Sequence, residues 1–118
     1  MTRARHTSEN ARQAKAWVNF DGRFATSPFT EANGGIRGSF NVTSVTDGGT
    51  GIYTINLTNA LEDANFTVVG SAGDTITTWG DRQISAYPLT SSTCRVVTGQ
   101  TATTNTYESS QCHIAIFR

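Results

Sequence analysis

The chain predicts an all-β fold, an antiparallel β-sandwich of jelly-roll-like type with seven or eight short strands. Three observations predict it. Apolar and polar residues alternate with a period of two in several short segments. Turn residues separate those segments at a spacing near ten residues, the pattern of a sandwich or barrel. The polar residues are mainly Thr, Ser and Asn, with only 15 % charged residues, and Thr suits a half-exposed pleated surface.

The clearest segments lie early. In 15–21, Ala16, Val18 and Phe20 share one side and Trp17 and Asn19 the other. The region 36–46 reads as one strand, with Ile36, Phe40 and Val42 on one face and Arg37, Ser39, Asn41 and Thr43 on the other. In 52–58, Tyr53, Ile55 and Leu57 oppose Thr54, Asn56 and Thr58. Asp47-Gly48-Gly49-Thr50-Gly51 between them predicts a hairpin, since Asp and Gly tolerate positive φ. The loop 22–35 holds Phe24 and Phe29, expected to tuck back onto the body. Further strands are expected at 66–72, at 82–89 with Pro88 near its end, at 93–101 and at 110–117. The segment 73–81 is expected as a loop or frayed strand. In the last strand Cys112, Ile114 and Ile116 oppose His113, Ala115 and Phe117.

With 118 residues and no internal repeat, one domain is expected over 15–118, preceded by an arm over 1–14. Net charge is zero but uneven. Arg3, Arg5, Arg12 and Lys15 stand against Glu9 alone in the first fifteen residues, and the body carries the compensating acids. Ser8 is a candidate cap for one or two helical turns that would order only by docking. Without aromatic interleaving the arm is a weak nucleic-acid signal, and nucleic-acid binding is not expected. No apolar run approaches a membrane span and no apolar segment follows the N-terminal charges, so synthesis in a cytoplasm and no membrane contact are expected.

Both faces of several strands are apolar: Trp17 opposite Val18, Val68 beside Val69, Val96 beside Val97, Phe117 beside Ile116. One face serves a core, and the other needs a cover of its own. A homo-oligomer interface including Trp17, Asn19 and Phe117 is the expected cover.

Reactive groups are few. His6 and His113 are the two histidines, and no metal-ligand, nucleophile-elbow or phosphate-loop motif occurs. Asp21, Asp47, Asp63, Asp74 and Asp81 fall in separate loops, where Asp ordinarily bonds its own backbone. No catalytic residue, metal or cofactor is expected, and the chain reads as a non-enzyme. Cys94 and Cys112 fall on the last two strands and read as hairpin partners facing the core. A direct cross-strand disulfide would be strained, so two buried reduced thiols are expected. The triplets beginning at Asn41, Asn56 and Asn65 match the glycan-acceptor pattern, but a Thr- and Asn-rich chain produces them by coincidence.

The segments KAWVNFDG (15–22) and IRGSFNVTSVTDGGTGIYTINLTNALEDANFTVVGSA (36–72), with ISAYPLTSSTCRVVTG (84–99) and CHIAIFR (112–118), resemble a module common in tailed-phage virion proteins. The module recurs at the distal ends of tail and head fibres, notably in marine phages and cyanophages. The resemblance spans nearly all of 15–118 and implies a trimeric β-sandwich knob on the virion exterior without catalytic residues. The loop 23–35 is longer than the module's short Gly/Thr turn. Only fourteen residues precede the module, where a fibre tip would follow a long shaft. The expectation is therefore a capsid decoration, or cement, protein: a homotrimer anchored on the major capsid protein through Arg3, Arg5, Arg12 and Lys15. The alternative is a short tail or head fibre knob, joined to a tail protein, that binds a host-surface glycan with Trp79 as the ligand contact.

Overall fold

The computed structural model describes residues 13–74, 82–101 and 103–118. Among the described residues eight strands form two four-stranded antiparallel sheets. They are β1 (Ala16–Phe20), β2 (Ile36–Phe40), β3 (Val42–Gly49), β4 (Ile52–Leu57), β5 (Thr67–Gly73), β6 (Arg82–Thr90), β7 (Thr93–Gln100) and β8 (Gln111–Phe117). The first sheet has the order β2-β1-β8-β5 and the second β3-β4-β7-β6. This is the all-β sandwich that the alternation predicts.

The core is the set of inward residues. Ala16, Val18 and Phe20 of β1 and Cys112, Ile114 and Ile116 of β8 meet Tyr53, Ile55 and Leu57 of β4 and Cys94 and Val96 of β7. Phe29 enters this core from the loop 22–35 and is fully buried, with Phe24 packed behind it. Its ring lies 6.1 Å from Phe20 and 6.1 Å from Tyr53, while Phe20 and Tyr53 meet edge-on at 5.2 Å. A bridge between Phe29 and Val45 ties the loop to β3. The Tyr53 hydroxyl donates to the Gly22 carbonyl at 2.8 Å and so links the second sheet to the end of β1. A Cβ at Gly22 would stand 2.4 Å from that hydroxyl, so glycine is required there.

Three sequence expectations need correction. The region 36–46 is not one strand. It breaks at Asn41, whose φ of 57° is left-handed, and the chain passes there from the first sheet to the second. Asn tolerates this conformation because its side chain bonds locally. Here Nδ2 donates to the carbonyls of Lys15 (3.2 Å) and Asn59 (3.1 Å), and Oδ1 accepts the Asn59 amide at 2.8 Å. The assignment of Phe40 is reversed by a register shift between β1 and β2: Phe20 pairs with Ile36 but Asn19 with Gly38, so Phe40 points outward opposite Trp17 while Ile36 stays buried.

Cys94 and Cys112 are not hairpin partners either. Strand β7 pairs with β4 and β6, whereas β8 lies in the opposite sheet between β1 and β5. Both are free, buried thiols. As expected, Pro88 lies near the end of β6, which runs to Thr90. Strand β6 lies at a sheet edge with an irregularity after Pro88, which accommodates the missing amide hydrogen.

Two outcomes follow. Burial pushes both thiols up to about 12, so neither is expected to react with a thiol reagent at pH 8 in the native protein. Both should react once guanidinium unfolds the chain; rapid native labelling of either would contradict the packing. Asn41→Ala, which loses the bonds and strains the backbone, is expected to cost about 2–3 kcal/mol in urea unfolding. Asn41→Gly, which loses only the bonds, should cost less; equal losses would show that the left-handed corner contributes nothing.

Candidate functional site

The outward face of the first sheet is built by register. Trp17 of β1 lies opposite Phe40 of β2 on one side and Ala115 of β8 on the other. Ala115 in turn lies opposite Val69 of β5. Side chains paired directly across strands share a face, so Phe40, Trp17, Ala115 and Val69 form one transverse apolar row across all four strands. Phe117 stands two residues beyond Ala115 on the same face.

Phe40 is 55 % exposed, Val69 49 %, Trp17 43 % and Phe117 39 %. These are four of the seven large hydrophobic side chains left exposed among the described residues. Such clustering on one sheet face is not the scattering of ordinary surface apolars.

The row is not flat. The Trp17 ring leans toward β2, about 3.5 Å from where a Cβ of Gly38 would stand. Ala115 is the smallest member and sits between Trp17 and Val69. The result is a depression of about 520 Å³ over Ala115, walled by Trp17 and Val69 and bordered by Asn19, Ser71 and His113.

The next row along the same strands is polar: Gly38, Asn19, His113 and Ser71. Arg37 donates to the Asn19 side chain at 3.1 Å and to the Ser110 carbonyl at 2.7 Å. That cation is therefore committed within the subunit, and the two rows themselves carry no carboxylate. At the far end Arg118 grips Asp63 with two hydrogen bonds of 2.9 Å. Those bonds, with the Asn65 amide, hold the Asp63 carboxyl down to about 2. The pair is intact above the ordinary carboxylate range and is lost only as the pH falls through that lowered value.

The structure thus brings Trp17, Asn19 and Phe117 together on one face. It adds Phe40, Val69 and Ala115, which the sequence reading did not single out. Val69 and Ala115 were visible by parity, but their alignment with Trp17 depends on pairing between strands distant in sequence. Lys15, of the expected arm contacts, donates its amide to the Ile116 carbonyl at 2.7 Å at the margin of this sheet. Arg3, Arg5, Arg12, the candidate Ser8 cap, Trp79 and Asp81 lie outside the described residues.

The carboxylates are otherwise occupied. Asp21, Asp47 and Asp63 each accept the backbone amide two residues on, as isolated loop Asp residues ordinarily do. Asp74 has a side chain only 3 % exposed. It accepts Ser110 Oγ at 2.8 Å, pairs with Arg23, and has Arg82 at 3.6 Å. Arg82 also lies over the Tyr107 ring, 5.3 Å from its centre. This cluster joins the chain after β1, after β5 and before β8. Among the described residues no three His, Cys, Asp or Glu side chains are grouped to hold a metal ion.

Comparison of the chain with models of known protein families, with curated proteins and with solved structures returns no match.

Proposed function

We propose that this chain is a structural virion protein of a tailed phage: a capsid decoration protein that self-associates as a homotrimer and bridges capsomers on the outside of the shell. The observation that carries the reading is the apolar row Phe40–Trp17–Ala115–Val69 with its depression. The occupant is a second copy of the chain. The face supplies both parts of such a contact, exposed aromatic side chains and a hollow beside them that accepts one. Its cation is satisfied within the subunit, so covering the face strands no free charge. The resemblance to phage knob modules supplies the number three and the virion setting.

The magnitude matters for the test. Each exposed side chain of the row is already about half covered, so completing its burial contributes on the order of 1 kcal/mol. Association has to draw on the whole face to offset its entropic cost. Truncating one aromatic is then a weak probe, and filling the hollow with a charge is a strong one.

Ala115→Arg is therefore expected to convert the oligomer to monomer in sedimentation velocity, with an unchanged far-ultraviolet spectrum. Val69→Lys, at the other wall, should do the same. A wild-type chain that sediments as a monomer, or variants that keep the wild-type mass, would remove the interface.

The arm is a separate matter. Deleting residues 1–14 should abolish cosedimentation with emptied phage shells while leaving a folded oligomer. Full decoration by the truncated chain would show that Arg3, Arg5 and Arg12 do not anchor it.

A further inference from the structure

The second sheet presents a different surface. Its outward side chains include Ser44, Thr46, Asn56, Thr90 and Thr93, and these satisfy one another. Asn56 donates to Ser44 at 3.1 Å and to Thr46 at 3.0 Å, and the hydroxyls of Thr90 and Thr93 lie 2.8 Å apart.

Beyond β7 the chain folds back over its own strand end. Gly99 and Thr106 form a bridge, and the Gln100 amide donates to the Asn105 carbonyl at 3.2 Å. The Tyr107 amide donates to the Thr98 carbonyl at 3.1 Å, and Thr98 Oγ1 returns a bond to the Tyr107 carbonyl at 2.5 Å. Gln83 of β6 donates to the Thr103 carbonyl at 3.1 Å. A Cβ on Gly99 would stand 2.5 Å from the Asn105 carbonyl oxygen, so glycine alone permits this approach. The returning segment is thus held at several points.

Beneath it is a cleft of about 200 Å³. Val97 contributes an apolar patch. Ser85 lines one side, and Thr104, Asn105 and Thr106 line the other. Unlike Ser44, Thr46, Asn56, Thr90 and Thr93, the side chains of these four residues make no hydrogen bond to another described residue. Among the described residues no ionisable side chain lines the cleft.

We infer that this cleft is a subsite for one ring of a neutral saccharide. Hydroxyl and carboxamide groups offer both donors and acceptors at close spacing, which is what a ring of hydroxyls requires. The Val97 patch suits the C–H face of the ring, and a few placed polar groups beside apolar surface are the usual make-up of a ligand site. The uncharged lining gives neither an anion nor a metal ion a counter-charge, and desolvating either would then be costly. The cleft opens on the sheet opposite the apolar row, so the inference stands apart from the proposed self-association.

The test is a titration of the ¹⁵N-labelled full chain with D-galactose, D-mannose and N-acetyl-D-glucosamine. Each sugar is taken to about 50 mM, a range that detects millimolar affinity. At least one sugar is expected to shift, in a saturable way, the amides of 83–85, 97–99 and 103–106. Ser85→Trp, which fills the cleft from an exposed position, should weaken that response at least tenfold without changing the melting temperature. The double variant Thr104→Ala/Thr106→Ala, which removes hydroxyls without adding bulk, should also weaken it. Silence with all three sugars, shifts centred elsewhere, or an undiminished response in both variants would overturn the assignment.

Discussion

The left-handed turn at Asn41 is the constraint on which the rest of the architecture depends. A ribbon that stayed extended from Ile36 to Gly49 would lie in one sheet. The positive φ at Asn41 instead divides it, leaving β2 beside β1 and sending β3 to β4. The side chain then staples the corner, with bonds to the carbonyl of Lys15 before β1 and to both backbone groups of Asn59 after β4. One residue therefore joins the two sheets covalently and by hydrogen bonds. Phe40, just before the corner, points outward because of the register shift between β1 and β2, and there it completes the apolar row with Trp17, Ala115 and Val69.

The sandwich is closed at its other places by similar devices. Tyr53 reaches from β4 to Gly22, Thr98 from β7 to Tyr107, and Asp74 binds Ser110 and two arginines. Each is a polar group that would be costly to bury alone and that finds its partner on another segment. A core of modest size, with only 36 % apolar residues in the chain, is thereby fixed in one arrangement. Phe29 adds volume from a loop, filling the space between Phe20 and Tyr53. The long loop 22–35 thus contributes to the core through Phe29.

The two outer faces differ in kind. On the second sheet, the hydroxyl and amide groups of Ser44, Thr46, Asn56, Thr90 and Thr93 bond one another, beside exposed Tyr87 and Leu89 on edge strand β6. On the first sheet an apolar row crosses four strands, with nearby Arg37 already bonded to Asn19 and Ser110. The proposed self-association rests on the apolar row, and the proposed saccharide subsite rests on the cleft at the opposite sheet.

The sequence by itself determined the strands and which side of most of them is buried. A period of two is a local property, legible in Ala16, Val18 and Phe20 or in Cys112, Ile114 and Ile116 without reference to any partner. It also determined the turn chemistry of the β3–β4 hairpin, where Gly49 and Gly51 take the positive φ values expected of them. Tertiary structure alone decided the pairing. Cys94 and Cys112 fall on consecutive strands yet in opposite sheets, because β8 finds β1 and β5 across nearly the whole chain. The Asn41 corner was hidden because an Asn between two extended segments is an ordinary strand residue unless distant carbonyls hold it left-handed. The apolar row was hidden for the same reason: its members lie far apart in sequence, and only the register of four strands places them side by side.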